Sequence, residues 1–179
     1  MMISDSTLDK ARLIRLLALD VDGVMTDGSL YFHADGSESK AFNSLDGHGI
    51  KMLQASGVEV AIITGRRSSM VSQRAKALGI ETLYQGREDK LVALKEIQDK
   101  KQLSWQQIAY CGDDLPDLAA IKTAGFGLTV PNAPDYMQKH ADFCSQRAGG
   151  QGAVREICDL IMRAQGTLQD AIDYYLLDF

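Results

Sequence analysis

The stretch "ALDVDGVMTDG" (18–28) places Asp20, Asp22 and Asp27 directly after an apolar run, Leu13 to Leu19, that only Arg15 interrupts. Unpaired buried carboxylates are costly, so residues of this kind pair, shift their pKa or bind a metal. A second acidic group, "CGDDLPD" (111–117), supplies Asp113, Asp114 and Asp117 behind another apolar run. Between the two groups stand Thr64-Gly65-Arg66, which close "VEVAIIT", and the lone Lys90. Converging carboxylates repel one another unless a cation joins them, and hard oxygen donors suit Mg²⁺. A Mg²⁺ that keeps some of its waters and also binds a substrate phosphate is the usual arrangement.

Each piece alone also has a plain structural reading. An Asp-x-Asp pair occurs in metal-dependent glycosyltransferases and by chance. Thr64 can cap the helix that follows it, Asp113 and Asp114 can cap "LPDLAAI", and lysines such as Lys90 are commonly solvated. What chance supplies far less readily is their joint order, each at the end of an apolar run or just beyond it.

The elements that must position these residues follow from the same runs. Strands are expected at 16–21, 58–64, 80–85, 108–112 and 126–130, with a weaker one at 142–145. Between them, 46–56, 66–78, 88–100, 114–123 and 152–165 carry helix formers with apolar positions three or four apart. Strands that alternate with helices, several lacking polar alternation, imply a parallel sheet covered on both faces. The expected class is a doubly wound α/β fold, a single domain over 1–179. In such sheets ligands bind at the carboxyl ends of the strands, where Asp20, Asp22, Thr64 and Asp113 fall. Alternation along the first strand would point Asp20 and Asp22 to one side and Val21 to the other. One segment breaks the pattern: "SLYFHADGSESKAF" (29–42) reads as a β-hairpin around Asp35-Gly36, either a surface excursion or a flap over the site.

Bulk properties narrow the function classes. A net charge of −5 with no basic run argues against nucleic-acid binding. No stretch approaches the roughly 20 apolar residues of a membrane span, and no signal-peptide pattern is visible. Cys111, Cys144 and Cys158 are odd in number and form no Cys-x-x-Cys pair, which suits reduced thiols in a cytoplasmic protein.

In that order "DVDGVMTD", "TGR", Lys90 and "GDDLPD" resemble the four signature motifs of the haloacid dehalogenase (HAD) superfamily, over about residues 13 to 160. "FNSLDGHGIKML", "TGRRSSMVSQRAKALGI", "QGREDK" and "AGGQGAVREICDLI" resemble, more narrowly, the phosphatases of 3-deoxy-D-manno-octulosonate (KDO) 8-phosphate. His48 departs from the aromatic residue expected at its position. The resemblance implies that Asp20 is the nucleophile, forming an aspartyl phosphate, and that Asp22 is the general acid and then the base. It implies Mg²⁺ held by the Asp20 carboxylate, the Asp22 carbonyl and Asp113, with Asp114 and Asp117 orienting that site. Mg²⁺, Thr64 and Lys90 would neutralise the transferring phosphoryl group. Asp27 is expected to fix the turn.

For the sugar, the resemblance points to the "NSLDG" loop (Asn43, Ser44, Leu45, Asp46, Gly47) with Lys51, alongside Asp22 and Lys90. Arg66 and Arg74, eight apart along the helix after Thr64, suit the substrate carboxylate, although without the resemblance the spacing favours two solvated arginines. Arg66 also favours the eight-carbon substrate over the nine-carbon KDN 9-phosphate. A receiver domain carries its phospho-acceptor on the third strand and an adjacent acidic pair on the first, which is not the order here. A non-catalytic module fits poorly with an intact set of acids, Thr64 and Lys90. The resemblance further implies a homotetramer whose neighbouring subunits complete each site, and a product that feeds lipopolysaccharide synthesis. Leu30, Tyr31, Phe32 and Phe42 on the hairpin would be the apolar contact residues. The apolar tail at 166–179 would lie over a neighbour or dock on its own domain.

Overall fold

The strand expected first is β1, Leu16–Leu19, and every residue of it is buried. It is flanked by β4 (Glu59–Thr64) and β6 (Ile108–Cys111), both parallel to it, with Leu19 level with Ile62 and Cys111. The computed structural model describes residues 3–176. Outward lie β5 (Thr82–Gln85) on one side and β7 (Phe126–Thr129) and β8 (Phe143–Cys144) on the other. The order of this six-stranded parallel sheet is β5-β4-β1-β6-β7-β8. The chain therefore runs outward from β1 through β4 and β5, then returns to the other side of β1 to lay down β6. That reversal opens a crevice between the carboxyl ends of β1 and β6, the place where doubly wound sheets bind ligands. Asp20 and Asp113 follow those two strands.

Helices flank the sheet: α2 (Ser44–Ala55), α3 (Ser69–Leu78), α4 (Lys90–Lys101), α5 (Leu115–Thr123) and α7 (Ala153–Gln165) lie close to the expected ranges. Helix α7 packs against α2 and against an unexpected α1 (Asp5–Arg12), and α4 packs against α5. The signal for α1 was its cap, since the Ser4 hydroxyl accepts from the Thr7 N–H. Only Thr7 and Ala11 of that helix are buried, so its apolar periodicity is faint. A single short helix, α6 (Asp135–Gln138), precedes β8.

The hairpin is present as β2 (Tyr31–Phe32) paired antiparallel with β3 (Glu38–Ser39). Leu30, Tyr31 and Phe32 are exposed, Phe32 by 64%. Phe42 differs from expectation: it is half-buried against the core, because the chain has already turned inward to start α2. The tail forms α8 (Leu168–Tyr174), whose Leu168 and Ala171 pack on the core. Tyr175 meets His48 edge-on at 5.5 Å, and positions 177–179 of the expected tail lie outside the described residues. Among the described residues no helix is long and apolar enough to cross a membrane.

Candidate active site

Strand β1 stops before the acids, so Asp20 and Asp22 do not alternate as strand residues. The Asp20 N–H still donates to the Cys111 carbonyl at 3.0 Å, and beyond it the chain curls. The Val21 carbonyl accepts from the N–H groups of Val24, Met25 and Thr26 at 3.3, 2.9 and 3.0 Å. Three N–H groups on one carbonyl make a tight loop in which the spacing of two residues no longer dictates direction. Gly23 sits in that loop at φ +92°, and a Cβ there would fall 1.9 Å from Asp113 Oδ2. Only glycine lets the loop approach Asp113 so closely.

Lys90, the first residue of α4, is buried and donates to Asp20 Oδ1 at 2.8 Å, Asp117 Oδ1 at 3.0 Å and the Ile63 carbonyl at 3.1 Å. Asp117 also accepts from the Tyr110 hydroxyl at 2.6 Å and from the N–H groups of Asp113 and Asp114 at 3.2 and 3.4 Å. Carboxylate oxygens of Asp20, Asp113 and Asp117 lie within 4.8 Å of one another. One lysine cannot neutralise three acids. Burial, then the neighbouring Asp117, raises the Asp20 pKa to about 7, against the pull of Lys90. Burial, then Asp20 and Asp117, raises that of Asp113 to about 7. Burial pulls Lys90 down, but Asp20 and Asp117 push it up further, so its ammonium stays charged. The residues present thus fit a hard cation: crowded oxygen donors, an excess of negative charge, and Asp117 committed to four donors that hold the others in place.

Asp22 stands beside this cluster with a side chain 21% exposed and an ion pair to Lys40 of the hairpin. Thr64 closes β4 and is buried, its hydroxyl accepting from the Arg66 N–H at 3.4 Å. Asp114 is exposed and caps α5 through the Leu115 N–H at 2.8 Å, with the Tyr136 hydroxyl 3.3 Å away. Asp27 accepts from the Ser29 N–H at 2.8 Å, a local turn contact.

The residues expected to hold the sugar are less united. Arg66 is not on a helix, since α3 begins only at Ser69, and its guanidinium donates to Glu38 of the hairpin at 2.8 Å. The two arginines therefore do not share a helix face. Arg74 donates to the Asn43 carbonyl at 3.0 Å and lies 5.7 Å above the Phe42 ring, while its Nε is buried without a partner. Asn43 caps α2, accepting from Leu45 at 2.8 Å and donating to the Gly150 carbonyl at 3.2 Å. Gly47 gives Arg74 room, for a Cβ would fall 2.2 Å from its Nη2. Asp46 is buried and accepts from the Arg155 N–H at 2.8 Å, at the start of α7, so this oxygen serves the fold rather than a hydroxyl. Burial raises its pKa against those backbone donors. Ser44, Leu45 and Lys51 are exposed on α2. A groove of about 780 Å³ between α1 and α7 includes Leu45 but none of the candidate catalytic acids.

A haloacid dehalogenase-like hydrolase family model matches residues 83–157. The 3-deoxy-D-manno-octulosonate 8-phosphate phosphatase KdsC of Escherichia coli (strain K12) is 45% identical over 169 residues, 94% of this chain and 90% of that protein. The chain belongs to the KDO 8-phosphate phosphatase family of HAD-like hydrolases. The Moraxella catarrhalis KDO 8-phosphate phosphatase, solved in complex with magnesium ion, phosphate ion and KDO, is 44% identical with a TM-score of 0.95, covering 97% of this chain and 99% of that one. A probable YrbI family phosphatase from Pseudomonas syringae is 52% identical with a TM-score of 0.97, covering 98% of this chain and all of that one.

As a KDO 8-phosphate phosphatase family member the chain carries three supporting residues that its motifs did not announce. Tyr110 read as strand core, yet its hydroxyl steadies Asp117. Asn132 donates to the Gly23 carbonyl at 2.9 Å and accepts from the Gly149 N–H at 2.7 Å, tying the acidic loop to "AGGQG". No local pattern marks Asn132. Lys40 had a faint signal, because Glu38 and Lys40 are two apart in a strand-like segment and so share one face.

Proposed function

We propose that this chain hydrolyses KDO 8-phosphate to KDO and phosphate, using Asp20 as nucleophile, Asp22 as acid and base, and Mg²⁺ as cofactor. The observation that carries the reading is the meeting of Asp20, Lys90, Asp113 and Asp117 at the sheet's reversal point, with the more accessible Asp22 beside them. Asp20, Asp113 and the Asp22 carbonyl would hold the metal, which when bound neutralises phosphate charge and so stabilises the transition state. Lys90 holds the Asp20 carboxylate in place, and one Asp20 oxygen attacks phosphorus as the ester P–O bond breaks. Asp22 gives its proton to the departing sugar oxygen, a poor leaving group when unprotonated. Asp22 then takes a proton from the water that cleaves the aspartyl phosphate, returning Asp20 to a free carboxylate. The Thr64 hydroxyl would donate to the phosphoryl oxygens, and Lys90, whose three donors are already taken, would lend its charge. Asp117 supports the acidic cluster from behind, and Asp114 acts on it through its charge and the α5 cap.

We assign the sugar carboxylate to Arg74, whose Nε has no partner, and secondarily to Arg66, which is held by Glu38 of the hairpin. The "NSLDG" segment and Lys51 complete the sugar side, Asp46 through its second, unpartnered oxygen. We read the working form as a homotetramer in the cytoplasm, supported by exposed Leu30, Tyr31 and Phe32 on a ribbon too small to hold itself. Three thiols with no disulfide suit that compartment. Phosphate release from KDO 8-phosphate, KDN 9-phosphate and simple sugar phosphates, with Mg²⁺ and with EDTA, tests the reading. KDO 8-phosphate should be preferred, EDTA should stop turnover, and Asp20→Asn should abolish it with the fold intact. Undiminished hydrolysis in EDTA, or Asp20→Asn activity within tenfold of wild type, would overturn the assignment.

A further inference from the structure

The hairpin is exposed almost throughout, from Leu30 to Ser37, yet it sends two side chains back into the molecule. Glu38 meets Arg66 at 2.8 Å, and Lys40 pairs with Asp22. The Lys40 side chain is only 2% exposed. Burying an ammonium costs several kcal/mol of solvation, and a buried pair is a weak source of stability. A ribbon that needed only to be pinned would not require a buried lysine aimed at one acid of the site.

We propose that Lys40 is a positioning residue for Asp22. This rests on the reading of Asp22 as the acid–base group. Lys40 donates to Asp22 Oδ1, which fixes the carboxyl group in one orientation and leaves Oδ2 to face the reacting ester. Oδ2 then carries the proton delivered to the sugar oxygen as the P–O bond breaks, and takes one back from water when the aspartyl phosphate is cleaved. The ammonium also offsets the charge of a carboxylate set next to an anionic phosphate. Because Lys40 comes from the hairpin, the acid–base group is oriented only when the hairpin is seated.

Leaving-group dependence of kcat/KM distinguishes this role from simple docking, because kcat/KM covers steps up to departure of the alcohol. p-Nitrophenolate leaves without a proton, whereas the KDO alkoxide does not. Lys40→Met should lower kcat/KM for KDO 8-phosphate at least tenfold more than for p-nitrophenyl phosphate. Lys40→Arg should recover most of that difference, since a guanidinium also pairs with a carboxylate. Glu38→Gln, which loosens the hairpin that carries Lys40 and frees Arg66, should show the same preference more weakly. If Lys40→Met does not fold, Lys40→Leu, which likewise has no donor, carries the same comparison. Equal losses on both esters, or no recovery with arginine, would overturn the role of Lys40. Asp22→Asn separates the two ideas: if it too shows no leaving-group dependence, the reading of Asp22 fails, and if it alone shows one, only the Lys40 inference fails.

Discussion

Gly23→Ala tests whether the acidic loop and Asp113 are as tightly fitted as their contacts imply. The new Cβ would lie 1.9 Å from Asp113 Oδ2, 2.5 Å from its Cγ and 2.9 Å from Oδ1. Carbon cannot sit at those distances, so Asp113 must swing away or the loop must rise. The second cost is conformational, since φ at Gly23 is +92° and an L-residue there loses roughly 1–2 kcal/mol. Gly36→Ala separates the two costs: its φ is +82°, but a Cβ there meets nothing within 4 Å. Urea denaturation should therefore show Gly36→Ala losing roughly 1–2 kcal/mol with ordinary Mg²⁺ dependence. Gly23→Ala should lose at least as much and also raise the Mg²⁺ needed for half-maximal phosphate release about 10- to 100-fold, the usual effect of disturbing a ligand's support. A Gly23→Ala enzyme with wild-type Mg²⁺ dependence would refute the idea that Asp113 belongs to the cation site.

Two further predictions concern the sugar side. Arg74→Ala should cost kcat/KM for KDO 8-phosphate roughly 10- to 100-fold, in line with one lost charge-assisted contact, and cost p-nitrophenyl phosphate much less. Arg66→Ala should show the same preference more weakly, and equal losses on both esters would return these arginines to structure. Asp46 gives a pH test, because burial raises its folded pKa above the unfolded value of about 3.9. The folded state then holds that proton more tightly, so this contribution to stability is full below the unfolded pKa and is lost as pH rises through the folded one. Urea midpoints should show wild type losing ground to Asp46→Asn as pH rises from about 4, and the opposite slope would mean that its backbone donors outweigh burial.

The parts of the fold that were legible in the sequence are those governed by one dominant force. Strands β1, β4 and β6 are buried on both faces, so they read as continuous apolar runs, and their ends located Asp20, Thr64 and Asp113. Lys90 was legible as the opening of α4, although its three acceptors were not. What escaped depended on direction at short range. Asp20 and Asp22 left the strand one residue too early for alternation to apply, because the Val21 carbonyl gathers three N–H groups. Arg66 missed the helix because Gly65 to Ser68 form a loop whose Ser68 N–H is taken by Gln85 at 2.7 Å. Asn132 and Lys40 act across gaps of 109 and 18 residues, and no local pattern encodes such partners.

The cluster itself breaks the rules that the core obeys. Most buried residues around it are apolar, while here three acids share a single lysine. Such an arrangement persists only if its surroundings are rigid enough to deny it an escape. The sheet beneath supplies that rigidity, with Tyr110 and the two N–H groups after β6 gripping Asp117 and Asn132 gripping Gly23. Lys90 and Tyr110, which hold Asp117, are both buried and cannot follow it outward without leaving the core. Burial, and after it the repulsion among the acids, raises the proton affinity of Asp20 and Asp113, and a dication held there would relieve both. Under the proposed reading, cation binding would also relieve this unfavourable contact, which is why the acids can stand where a structural core would have placed leucine.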